Sequence, residues 1–184
     1  MLIALEKKEK NISEYLLYMW QLEDLFRANH LDEKRIHEFL IHPLELNENK
    51  KAQIWDWYLD LIQKMRKQQL EKSGHLSELN EILAELNYLH QTLITVSRDP
   101  KYLEHYASAK AHLELLKSKS NKLHQNEVET ALNGLYGLLL LRLKKREISD
   151  ETEKAMASFS KFIAYLTAVY HKIKRGEISL PGES

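Results

Sequence analysis

Among 184 residues this chain has 5 glycines and 3 prolines. That shortage constrains the fold more than any other feature. Tight turns draw on Gly and Pro, and strands draw on β-branched residues. Valine occurs only 3 times, against 33 leucines. Leu, Lys, Glu and Gln favour helix instead. These numbers argue against an all-β domain and disfavour an α/β sheet. With 43% hydrophobic residues and 27 basic side chains against 27 acidic ones, the chain can support a core rather than stay disordered.

The length suits one domain with a sizeable core. Zero net charge leaves no basic excess to neutralise a phosphate backbone, so we expect no nucleic-acid partner. The absence of cysteine removes disulfides, thiolate nucleophiles and Cys-ligated zinc. The start, Met1 to Leu5 followed by Glu6-Lys7-Lys8-Glu9-Lys10, has too short an apolar run for a signal peptide. The longest apolar run, Leu135 to Leu141, is far below the ~18–20 residues that span a bilayer. The expectation is a soluble, cytoplasmic protein without a membrane partner.

Sparse punctuation places the helices. Asn11 or Ser13 caps a first helix that runs to about Asn29. Asp32 caps a short helix to Ile41, which His42-Pro43 ends. Asn47 caps a third helix, with Gly74 as its stop. Ser77 opens a fourth, to about Ser97. Asp99-Pro100 opens a fifth, to about Ser118, with Asp at the cap and Pro at the first helical position. Asn126 opens a sixth, to about Glu147. Asp150 with Glu153 has capping-box spacing and opens a seventh that reaches Arg175, where Gly176 stops it. Lys117 to Gln125 is the most polar connection.

Periodicity supports these assignments. Thr152, Ala155, Phe159, Ile163, Leu166, Tyr170 and Ile173 form one stripe at helical spacing. Leu79, Leu83, Leu86, His90 and Leu93 form another, and Ile54, Tyr58, Leu61 and Met65 a third. The sixth helix is apolar nearly all round. Val128, Leu132, Leu135, Leu139 and Leu143 lie on one side, with Gly134, Gly137, Leu138 and Leu141 behind. We expect it to be central or doubly covered. Its glycines each cost ~1 kcal/mol against Ala, which suggests a close helix contact at Gly134, Gly137, Leu138 and Leu141, within the chain or between chains.

The segment Asn11-Ile-Ser-Glu-Tyr-Leu-Leu-Tyr-Met-Trp-Gln-Leu-Glu-Asp-Leu-Phe-Arg27, the opening Met1-Leu2-Ile3-Ala4 and Trp55-Asp56-Trp57-Tyr58 are distinctive. In these the chain resembles a family of small, all-helical proteins of Bacteroidetes that carry a domain of unknown function. The resemblance implies an intracellular all-α bacterial protein and assigns no activity.

The candidate polar site is on the first helix. Trp20, Asp24 and Arg27 lie close together on its surface, with Glu23 at their edge and four residues from Arg27. Charges beside a large aromatic on an apolar helix need partners. One reading is an ion pair that knits this helix to a neighbour; a second is a pocket or interface built from Tyr15, Trp20, Glu23, Asp24, Arg27 and Trp57; a third is plain solvent exposure. Trp57 and Trp55 flank the stripe of the third helix, and Trp and Arg are enriched in binding hot spots. Glu33 with His37 and Glu38 with His42 share helix faces at i,i+4 spacing, and His105 lies two turns from His112. No Glu-x-x-His or His-Glu-x-x-His occurs, so no metal or cofactor is expected from motif. A metal would need ligands converging from several helices. No nucleophile elbow or phosphate loop is present either. The basic run Arg142-Leu-Lys-Lys-Arg146 complements a helix C-terminus.

The expected architecture is an all-α, single-domain bundle of six to seven mostly antiparallel helices over residues 1–176, with a flexible tail at 177–184. The expected function is a noncatalytic helical interaction or scaffold protein, self-associating or held by a protein partner. The alternatives are a small-ligand protein or enzyme with a pocket near the first helix, and a histidine-based metal protein.

Overall fold

The structure, a computed structural model, describes residues 1–120 and 126–179. It contains α1 (Leu2–Lys10), α2 (Ile12–Ala28), α3 (Glu33–Ile36), a π-helical turn (His37–Ile41), α4 (Glu48–Lys67), α5 (Ser77–Thr95), α6 (Pro100–Ser120), α7 (Glu127–Leu143) and α8 (Asp150–Lys174). The all-α class is as expected, and no strand occurs among the described residues. The helix count is corrected upward, to eight α-helices among those residues, because Leu2–Lys10 is a helix of its own. It carries no acidic residue in its first turn to announce it in the sequence. No described helix is long and apolar enough to cross a membrane. The second half of the polar connection, 121–125, and most of the expected tail, 180–184, lie outside the described residues.

The helix starts follow their caps. Asp32, Asn47 and Asn126 accept hydrogen bonds from the backbone N–H of Arg35, Lys50 and Glu129, and Asp99 accepts from Tyr102 N–H. At α8 the cap moves back by one residue. Ser149 Oγ accepts from Thr152 N–H at 3.3 Å, so Asp150 is the first helical residue and its charge serves the helix dipole instead.

The helix ends show how the chain manages with so little glycine. Four helices (α2, α4, α7 and α8) close with the same paired bonds. At α4, Leu70 N–H donates to Met65 O and Gln69 N–H to Arg66 O; at α7, Arg146 N–H donates to Leu141 O and Lys145 N–H to Arg142 O. This Schellman arrangement needs a left-handed residue after the helix. Only α8 places glycine there, at Gly176 with φ +71°. His30, Gln69 and Lys145 take the conformation at φ +56°, +57° and +51°. Gln69 thus ends α4 earlier than the expected stop at Gly74, which turns the following loop at φ +92°.

The chain divides into two compact units, residues 1–9 with 14–80 and residues 10–13 with 81–184. In the first, Trp20, Phe26, Ile36, Ile62 and Met65 are fully buried, and the Phe26 and Tyr58 rings meet edge to face at 5.1 Å. Burial raises the Tyr58 phenol to about 12. In the second, the α5 stripe of Leu83, Leu86, His90 and Leu93 is buried as expected. On α8 the buried face is Met156, Phe159, Phe162, Ile163, Leu166, Thr167 and His171. It turns slightly away from the expected stripe and leaves Ala155, Tyr170 and Ile173 half-buried.

The position expected for α7 is corrected in its C-terminal half. Val128, Thr130, Ala131, Leu132 and Leu138 are buried, but Leu135 and Leu139 are only half-buried, and Leu141 and Leu143 are 37% and 58% exposed. The two mid-helix glycines also separate. A Cβ on Gly134 would lie 2.9 Å from Phe159 Cε2 and 3.1 Å from Leu116 Cδ2, whereas one on Gly137 would meet nothing within 4 Å. The tight crossing inside the chain is therefore at Gly134 alone. Gly137→Ala is expected to raise stability by about 1 kcal/mol through helix propensity. Gly134→Ala is expected to lower it by about 1–2 kcal/mol, because overpacking against a buried ring exceeds that gain. Paired urea melts check the opposite signs; equal shifts would contradict the assignment.

Candidate functional site

Residues 14–28 of α2 and the loop that joins α4 to α5 build one polar cluster. Glu23 is only 1% exposed. Its Oε2 accepts from His75 Nδ1 at 2.6 Å, and its Oε1 accepts from Leu76 N–H at 2.9 Å. The carboxylate can only accept, which sets His75 Nδ1 as the protonated nitrogen. The His75 ring stacks on Trp20 at 4.6 Å with 19° between planes. Arg27 completes the arrangement. It donates to Asp24 Oδ1 at 2.9 Å, to Gly74 O at 3.0 Å and to Leu70 O at 3.3 Å, and it lies 3.7 Å from Glu23 Oε2.

The helical period explains why these side chains meet. Trp20, Glu23, Asp24 and Arg27 recur at three- and four-residue spacing and share one side of α2. Gly74 at φ +92° turns the loop so that its carbonyl faces the guanidinium while His75 and Leu76 reach Glu23. Chemically the cluster is a clamp. A buried carboxylate and a guanidinium satisfy a loop's orphan N–H and carbonyl groups. His75 is the member that the sequence reading missed; the signal available was its place between a loop glycine and the fully buried Leu76.

The other candidates have separate environments. Tyr15 is buried and its phenol is pushed up, first by burial and then by the Glu78 carboxylate. Trp57 stays half-buried, its ring 5.5 Å from Tyr58. The Trp55 ring meets His37 edge-on at 4.9 Å, on the π turn. His105 packs against Tyr165 at 5.5 Å, and His112 Nδ1 lies 3.1 Å from Ser158 Oγ. Among the described residues no group of three or more His, Asp or Glu could hold a metal ion. His124 lies outside them.

Burial favours the neutral form of two histidines. His90 is fully buried, with Nδ1 2.7 Å from Tyr102 Oη and the Tyr106 and Phe162 rings edge-on at 5.0 and 5.4 Å. Burial pushes its pKa down; the Lys117 charge adds to this and Glu127 opposes it. His171 Nε2 accepts the Ile12 N–H at the start of α2, at 3.0 Å. Its pKa is lowered by burial and then by Arg175. A folded pKa below the unfolded value means that the unfolded chain takes up protons first. Stability is therefore full above the ordinary histidine value of about 6.5 and lost as pH falls through it. Unfolding midpoints are expected to drop between pH 7.5 and pH 5.5, with the His90 and His171 ring resonances titrating below the ordinary histidine value. A flat midpoint with normal ring titrations would contradict this.

The less buried half of α7 borders a groove of about 390 Å³, lined by Leu116, Gly134, Gly137, Leu138, Leu141 and Met156. Thr130 and Asn133 add polar groups to its lining. Gly134, Gly137, Leu138 and Leu141 all contribute to this lining. Gly134 lies at its packed floor and Gly137 at its open part.

The chain belongs to the family described as Domain of unknown function (DUF4924), whose family model matches residues 1–177. No curated protein and no solved structure matches it.

Proposed function

We propose that this family member is a noncatalytic helical interaction protein that associates with itself through α7. One observation carries the reading. The C-terminal half of α7 keeps Leu141 partly exposed on a largely apolar groove that also contains an open mid-helix glycine. Contiguous exposed apolar surface of this kind marks an interaction site.

The polar cluster on α2 supports the same reading from the opposite direction. An enzyme or small-ligand site there would present Trp20, Glu23 and Arg27 to a cavity. Trp20 and Glu23 are buried instead, and the Glu23 and Arg27 hydrogen bonds go to the protein's own loop. Light scattering at low and high micromolar concentration tests the proposal. The expected mass rises above the 21.7 kDa of one chain as concentration increases; the single-chain mass at both concentrations would overturn it.

A further inference from the structure

We propose that the occupant of the α7 groove is α7 of a second copy, laid antiparallel and crossing at Gly137. The inference rests on the interaction reading above and names its partner and geometry. Thr130, Asn133, Gly134, Gly137, Leu138 and Leu141 recur at three- and four-residue spacing and so form one face of α7. That face lines the groove.

Three features point to a copy of the same helix. The first is Gly137. Glycine in a helix interior costs stability, and among the described residues no atom outside its own helix backbone and chain neighbours lies within 4 Å of where its Cβ would stand. No contact among the described residues calls for a glycine there, whereas the close approach of another backbone does. The second is self-complementarity. A two-fold interface requires each copy to supply both the knob and the hole. In an antiparallel crossing at Gly137, residues equally far from it face each other. Each copy's partly exposed Leu141 then lies over Asn133 of the other, on the groove lining.

The third is charge. The first turn of α7 carries Glu127, which also pairs with Lys117 at 3.4 Å, and Glu129, and Lys144 and Lys145 follow its last residue, both exposed. An antiparallel pair sets the lysines of each copy beside the glutamates of the other, at both ends, and also opposes the helix dipoles. A parallel pair stacks like charge on like charge. The same pattern disfavours an arbitrary apolar peptide, which would match the groove without matching the charges.

The chain has no cysteine, so single-cysteine variants report pairing cleanly. Asn133→Cys and Leu141→Cys are purified separately and oxidised mildly, alone and mixed. Facing positions bring the Cα atoms within the ~4.4–6.8 Å that a disulfide spans. The expected result is a mixed disulfide dimer from the two variants together, at least tenfold more abundant than either variant's own dimer. Strong self-crosslinking of each variant alone would overturn the antiparallel geometry in favour of a parallel one. No crosslink from a protein that scatters as a dimer would overturn this pairing and leave self-association on another surface. A single-chain mass at all concentrations would overturn both readings. Charge reversal at Lys144 and Lys145 to Glu is a second measure. It should lower the dimer fraction at low salt, and mixing with a Glu127→Lys, Glu129→Lys chain should restore it. An unchanged dimer fraction after the reversal would count against the charge pairing.

Discussion

Glu23→Ala is expected to lower the unfolding free energy by about 3–5 kcal/mol, the range for breaking a buried charged network by removing one partner. The side chain is 1% exposed and carries three interactions. Without it, Leu76 N–H is left buried with its acceptor gone, His75 loses its carboxylate, and the nearby Arg27 guanidinium keeps only Asp24 and the two loop carbonyls. Glu23→Gln retains an acceptor for Leu76 N–H and is expected to cost only about 1–2 kcal/mol. Urea unfolding followed by tryptophan fluorescence checks both, since Trp20 stacks on His75. A loss below about 1 kcal/mol for Glu23→Ala would mean that the cluster does not bear the fold and would reopen a binding role for it.

Phe162→Ala is expected to cost about 3–5 kcal/mol, as for other fully buried aromatic truncations. Phe162 is completely buried, and its ring meets those of His90, Tyr102 and Tyr106 at 5.4, 5.7 and 5.8 Å. The substitution also has a pH signature. Water in the resulting cavity weakens the burial that depresses the His90 pKa, so protonation of the folded state becomes easier. The acid-dependent share of the wild-type stability then shrinks. The stability gap between Phe162→Ala and wild type should be smaller at pH 5.5 than at pH 7.5. Denaturant titrations at the two pH values measure it; a gap that widens on acidification would contradict the place given to His90.

Much of the fold can be read from residues that act locally. Asp32, Asn47, Asp99 and Asn126 cap where their side chains predict, because a cap depends on a short polar group and the next three N–H groups. The α5 leucine stripe was equally plain. Helix ends were less legible. In a chain this poor in glycine, left-handed positions fall on Gln69 and Lys145, and nothing in those residue types signals a stop. The π turn at His37–Ile41 left no mark in the sequence either.

The polar site was half legible. Spacing alone brought Trp20, Glu23, Asp24 and Arg27 to one side of α2. Their partner His75 lies 52 residues beyond Glu23, a distance that no local pattern bridges. The α7 glycines show the same limit. Their pairing in the sequence suggested one tight contact, but what each of them meets depends on Phe159 and Leu116, which lie on other helices.

The central claim is that α7 carries the association while the α2 cluster carries the fold, and Gly137→Glu tests it most directly. A Cβ at Gly137 meets no described neighbour outside its own helix within 4 Å, and glutamate is the better helix former. The same side chain puts bulk and charge where a second copy would cross. Sedimentation with a parallel urea melt is expected to show a shift to the single-chain mass of 21.7 kDa while unfolding stability holds or rises by roughly 0.5 kcal/mol. A Gly137→Glu protein with the same mass distribution as wild type would contradict the account.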